Sequence, residues 1–164
     1  MSKKYGLKKE FAPVRQDASR IIVSYNLQAE ADGEHYTWDE VCFYKKQIAQ
    51  PTKEQIKAAI IADINQAVVK QIQDGFEWNG HKVWLSIENQ ADYKAAADLA
   101  YQTDGKSLPE TARFGSDDDP DPYTFTDANE LISFWEQAHR YINDVRKAGW
   151  DLKDSIDWDK YVIE

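Results

Sequence analysis

The side chains able to do chemistry are few and scattered. Cys42 is the single cysteine, so the chain can make no internal disulfide. It sits in the run Val41-Cys42-Phe43, which reads as strand, and is expected to be a buried, inert thiol rather than a nucleophile. The histidines, His35, His81 and His139, pair with no second histidine or cysteine at metal-ligand spacing. His81 is expected to pack across a hairpin from Trp78, His139 to lie beside an apolar helix stripe, and His35 to be solvated after a turn. There is no Gly-x-Ser-x-Gly elbow and no phosphate-cradling glycine loop. Asp117, Asp118, Asp119 and Asp121 offer oxygen ligands of the type calcium takes. Their loop lacks the glycine and terminal glutamate of an EF-hand and contains two prolines, so a solvated loop is favoured over a cation site. No residue qualifies as catalytic, cofactor-binding or metal-binding, and the chain is expected not to be an enzyme.

The aromatic residues are a better lead. Six Trp and nine Tyr are many for 164 residues, and Trp and Tyr concentrate where proteins grip partners. Most are expected in the core or at its rim, because Trp is seldom fully buried. Stacking on a sugar is the other use such faces serve.

Charge is unevenly spread. The net charge is −9, yet residues 1–20 hold six Lys or Arg against Glu10 and Asp17. An acidic body repels phosphates, which argues against a nucleic-acid surface. Lys3, Lys4, Lys8 and Lys9 are better suited to docking on an acidic protein. No apolar stretch is long enough to span a bilayer, and no apolar run follows the first lysines as in a secretory signal.

The elements that would position these groups are punctuated clearly. Residues 1–18, with Gly6 and Pro13, read as an extended basic arm. Ile21 to Leu27 and Tyr36 to Tyr44 are strands of a β-hairpin around the Asp32-Gly33 turn. An isolated hairpin is marginal, so it is expected to pack on the rest of the chain or on a partner, and its edge at 21–27 or 36–44 to pair with a partner strand. Thr52 and Gln55 form a capping pattern before a helix over 53–73, striped by Ile56, Ile60, Ile64, Val68 and Ile72 and closed at Asp74-Gly75. Phe76-Glu77-Trp78-Asn79-Gly80-His81-Lys82-Val83 is a tight hairpin whose Asn-Gly turn sets Trp78 opposite His81 and Phe76 opposite Val83. Ser86 caps a helix over 87–102, rich in alanine. Ala112-Arg113-Phe114 and Tyr123-Thr124-Phe125 are short strands around the acidic loop. Asp127 and Glu130 open a last helix striped by Leu131, Phe134, Ala138, Ile142 and Val145, with Gly149 as its stop. The tail, with Ile156, Trp158, Tyr161, Val162 and Ile163, is apolar enough to pack back.

This order of elements over about residues 53–157 resembles a domain of unknown function that recurs in bacteriophage and prophage tail and tail-fibre-associated proteins. The features that carry it are the helix ending near Gly75, the aromatic hairpin from Phe76 to Leu85, and Ser86-Ile87-Glu88-Asn89-Gln90 opening a second helix. Tyr123-Thr124-Phe125, the long helix from Thr126-Asp127, and Lys153-Asp154-Ser155-Ile156 complete it. The resemblance implies a structural role at a baseplate, a fibre or their joint, in several copies per particle, and carries over no catalytic residue.

The expected fold is α+β: three helices packed on a small antiparallel sheet, with an N-terminal arm and β-hairpin. Residues 1–48 would be an attachment region and residues 51–164 the phage-tail-like domain. The expected function is a non-enzymatic connector in a phage or prophage tail, made in the host cytoplasm and carried in the virion. It would contact other tail or baseplate proteins through Lys3, Lys4, Lys8, Lys9, Tyr25, Trp38 and Tyr44, with no cofactor, nucleic acid or membrane. The alternatives are a carbohydrate- or receptor-binding module at the tail tip, touching host surface glycan, and an assembly factor absent from the finished particle.

Overall fold

The computed structural model describes residues 2–116 and 118–161. Asp117 of the acidic loop and Val162 and Ile163 of the apolar tail lie outside the described residues. The fold is α+β, with three α-helices and small antiparallel sheets. The chain divides into two compact units rather than near residue 50: Met1–Ala67 with Gly149–Glu164, and Val68–Ala148.

The first unit is built on a four-stranded antiparallel sheet. Its strands are β1 (Ser2–Leu7), β2 (Val14–Gln16), β3 (Arg20–Ala29) and β4 (His35–Tyr44), in the order β1-β4-β3-β2. Residues 1–18 are therefore not an extended arm. They supply both edges of the sheet, and the segment between them crosses from one edge to the other, a Greek-key path run in reverse. The same topology corrects the expected pairing edge. β3 and β4 pair with each other, and their outer sides are taken by β2 at Ile21–Val23 and by β1 at His35–Glu40, so those stretches cannot accept a partner strand.

Burial on both faces explains the five consecutive buried residues Ile21 to Tyr25 in β3. Phe11, in the crossing segment, meets Trp38 edge-on at 6.1 Å. Gly6 makes room there: a Cβ would stand 3.1 Å from the Trp38 ring and nearer still to the Glu10 carboxylate. Helix α1 (Lys53–Asp74) contributes Ile56, Ile60 and Ile64 to the core of this unit. Its capping box is reciprocal. The Thr52 amide donates to Gln55 Oε1 at 2.9 Å and the Gln55 amide to Thr52 Oγ1 at 3.3 Å.

The second unit gathers two hairpins and two helices around one aromatic core. Strands β5 (Phe76–Trp78) and β6 (His81–Val83) pair Phe76 with Val83, Glu77 with Lys82 and Trp78 with His81. Asn79 and Gly80 take φ values of 49° and 84°, the two positive angles a type I′ turn needs. Helix α2 (Ile87–Gln102) starts where Ser86 Oγ accepts the Asn89 amide at 3.1 Å. Replacing Ser86 with alanine is expected to lower stability by about 1 kcal/mol in urea denaturation, since that amide loses its acceptor. Strands β7 (Glu110–Arg113) and β8 (Pro122–Phe125) pair next, and α3 (Ala128–Ser155) follows.

Helix α3 departs from expectation at both ends. Asp127 Oδ1 accepts the Glu130 amide at 2.9 Å, but the Glu130 carboxylate accepts from the Tyr123 hydroxyl at 2.5 Å instead of completing a capping box. Gly149 does not stop the helix, which runs to Ser155. A glycine inside a helix costs only about 1 kcal/mol, and no proline follows to enforce a stop.

Candidate functional site

The expected contact residues separate into two groups in the first unit. Lys3, Lys4, Lys8 and Lys9 are all exposed, the first two on the outer strand β1 and the others in the 3-10 turn after it. Tyr5 of β1 is 62% exposed and stacks on His35 with ring centroids 4.9 Å apart. Lys8 Nζ lies 5.8 Å from the centre of the Tyr36 ring, a cation–π contact. Tyr44 is also exposed.

Tyr25 and Trp38 belong to the other group and must be withdrawn as contacts, because both are buried and have no ring face to offer. The Tyr25 hydroxyl donates to Asp63 Oδ2 at 2.6 Å, tying β3 to α1. Burial, with that bond to Asp63, pushes the Tyr25 phenol far above its ordinary value. Trp38 Nε1 donates to Glu40 Oε1 at 2.9 Å, and Arg15 Nη1 donates to the same oxygen at 2.7 Å. Burial works against the Glu40 carboxylate, but the bonds from Arg15 and Trp38 outweigh it and hold its pKa below the ordinary value. Asp39, also buried, accepts from Asn26 Nδ2 at 2.8 Å. These groups organise the interior of the sheet.

Cys42 is exposed, not buried. It faces away from the apolar side of β4, since strand residues alternate and Val41 and Phe43 lie on the other side. His35 is seven residues away along the same strand, roughly 23 Å at strand rise, so these two cannot form a thiol–imidazole pair. His35 Nδ1 lies 2.7 Å from Asp32 Oδ2.

In the second unit the polar groups converge at the tip of the β5–β6 hairpin. His81 Nδ1 lies 2.7 Å from Asp121 Oδ2, and its ring meets Tyr123 edge-on at 5.2 Å. Asn79 Nδ2 donates to the Tyr123 hydroxyl at 3.0 Å, and that hydroxyl donates onward to Glu130. The arrangement fastens the hairpin to β8 and to the first turn of α3. His81 thus has a packing partner, as its place opposite Trp78 suggests, together with a carboxylate that the sequence did not assign to it. Asp121 is thereby engaged by a histidine. Among the described residues, no group of three or more His, Cys, Asp or Glu side chains is arranged to hold a metal ion.

The tryptophans are graded in burial. Trp38 and Trp78 are buried, Trp84, Trp135 and Trp158 half-buried, and Trp150 exposed. Trp158 carries Lys57 Nζ over its ring at 5.3 Å. No helix is long and apolar enough to cross a membrane among the described residues.

What the first unit presents outward is an open strand edge with basic side chains. β1 pairs with β4 on one side only, and apart from the Leu7 amide, which donates to Glu10 Oε2 at 3.3 Å, its other side carries the main-chain groups of an unfilled ladder. The opposite edge, β2, is only three residues long and follows Pro13, two features that discourage strand addition. No family model matches the chain, and no curated protein or solved structure matches it.

Proposed function

We propose that the protein is a non-enzymatic connector of a phage or prophage tail, which joins an acidic neighbour through the outer edge of β1. The observation that carries the docking mode is that edge: six residues long, open on one side, bearing Lys3, Lys4 and exposed Tyr5. Lysines on an edge repel a like-charged strand and so limit self-pairing, while an acidic strand is attracted. The particle context rests on the resemblance of residues 53–157 to the tail domain. Virion location and several copies per particle are part of the same proposal.

Particles assembled with a Lys3→Glu/Lys4→Glu variant test it. Mass spectrometry of purified particles is expected to find the wild-type protein present and the variant strongly depleted, with wild-type attachment weakening as salt rises. Equal incorporation of both would remove the β1 docking mode. Absence of the wild-type protein from finished particles would favour an assembly factor. A carbohydrate-binding role would use exposed Trp150 and Tyr44, and a glycan that quenches tryptophan fluorescence without any protein partner would support it.

A further inference from the structure

A second open edge lies in the other unit, and it is built differently. The Phe114 amide donates to the Asp121 carbonyl at 2.8 Å, which fixes the phase of the β7–β8 ladder. Hydrogen-bonded pairs alternate in an antiparallel ladder. Ala112–Tyr123 and Glu110–Phe125 therefore bond across it, while the main-chain groups of Thr111 and Arg113 point away from β8. Two facts agree with this phase. Pro122, opposite Arg113, has no amide to give. The Arg113 carbonyl accepts instead from the Tyr93 hydroxyl of α2 at 2.7 Å.

That tyrosine props α2 beside the strand and leaves a groove between them. The groove has a volume of about 510 Å³, with Tyr93, Ala96 and Leu99 on the helix side and Thr111 and Arg113 on the strand side. Leu99 is half exposed there, and the small side chains of Ala95 and Ala96 keep the middle of the groove open. Its length suits one strand, because four residues of β7 extend about 13 Å.

We infer that this groove receives an extended basic peptide segment of a partner protein, added as a third strand beside β7. Main-chain bonds to the Thr111 amide and carbonyl and to the Arg113 amide would supply affinity, the Arg113 carbonyl staying with Tyr93, and an apolar side chain of the guest would enter against Ala96 and Leu99. Charge identifies the guest. Asp92 and Glu110 stand in the groove walls against one cation, Arg113, a net −1. The unit from Val68 to Ala148 has eight basic and fifteen acidic residues, a net −7. An acidic segment would be repelled and a basic one drawn in. The proposal is independent of the β1 edge, which has the opposite charge and lies in the other unit.

The test is selection of the full chain against a library of short displayed peptides, with Thr111→Pro and Glu110→Lys as comparisons. Thr111 points its amide outward, so proline there removes the donor without breaking the β7–β8 ladder. Selected peptides are expected to alternate apolar residues with Lys or Arg. Their affinity is expected to fall up to about tenfold for Thr111→Pro, the loss of one main-chain bond. Glu110→Lys, which leaves the backbone untouched, is expected to weaken the basic bias. With a selected peptide bound to the wild-type chain, hydrogen exchange at the Thr111 and Arg113 amides should slow. No enrichment, or peptides bound equally by Thr111→Pro, would overturn the inference. Slowing that appears without peptide and grows with protein concentration would overturn the peptide guest in favour of a second copy of the chain.

Discussion

Replacing Phe134 with alanine is expected to destabilise the second unit by about 3–5 kcal/mol. Phe134 comes from α3 and is fully buried. Its ring lies 5.1 Å from Phe114, 5.2 Å from both Tyr93 and Phe125, 5.5 Å from Trp78 and 6.1 Å from Phe76. One side chain therefore joins both hairpins and both helices of the unit. Truncation removes its transfer free energy, leaves a cavity that several large rings cannot close by small movements, and breaks edge and stacked ring contacts worth about 0.5–1.5 kcal/mol each. Domains are stable by about 5–15 kcal/mol, so between about a fifth and all of the total would go. Urea denaturation followed by tryptophan fluorescence measures this, and a loss under about 1 kcal/mol would contradict the placement of Phe134.

The second large effect is alkaline. Tyr25, Tyr93 and Tyr161 are buried phenols. Burial, with the Asp63 bond, raises Tyr25; burial, with the nearby Asp92 charge, raises Tyr93 to about 12; burial, with the Asp157 charge, raises Tyr161 to about 12. The Tyr161 hydroxyl donates to the Ser24 carbonyl at 3.2 Å, a bond that needs its proton. In the unfolded chain all three ionise near pH 10. Their stabilisation is therefore complete below pH 10 and is lost as pH rises toward the folded values, because the unfolded state gives up protons that the folded state keeps. Each phenol contributes a slope of about 1.4 kcal/mol per pH unit. The first unit, with Tyr25 and Tyr161, should lose about 2.8 kcal/mol per unit between pH 10 and pH 12, and the second, with Tyr93, about half that. Urea midpoints across this range, read with tyrosinate absorbance, would show it. A Tyr25→Phe/Tyr161→Phe variant should flatten the slope of the first unit. Stability that stays level to pH 12 would contradict the burial of these hydroxyls.

The parts of the fold legible in the sequence are those set by neighbours a few residues apart. Asn79-Gly80 specifies a turn, and the turn fixes the register of the Phe76–Val83 hairpin. Thr52 with Gln55, and Ser86 with the amide three residues on, mark helix starts by bonds that local spacing allows. What escaped depends on distant pairing. β1 opposes residues 28 to 38 positions away, Leu7 with His35 and Ser2 with Glu40. Its exposed lysines carry no alternating pattern, so they read as an arm. Glu40 and Asp39 look like surface residues until Arg15, Trp38 and Asn26 are brought to them. Tyr25 and Trp38 looked like contact residues because aromatic type is visible in sequence and burial is not. Gly149 shows the opposite error, a local stop signal outvoted by the helix on either side of it.

The candidate surfaces were legible to different degrees. Lys3, Lys4, Lys8 and Lys9 were recognisable as a basic cluster, although the strand that presents two of them was not. The groove beside β7 left no sequence signal. It depends on which main-chain groups of β7 face outward, a choice set by the Phe114–Asp121 bond, and on Tyr93 holding α2 at a distance.

The most direct test of the connector role is an electron-microscopy map of tail particles made with this protein carrying a C-terminal tag. The expected result is tagged density at a joint between tail proteins, with a neighbouring chain running alongside β1 at the strand spacing of about 4.8 Å. Particles without the protein, or a map in which β1 faces open solvent at every copy, would contradict it.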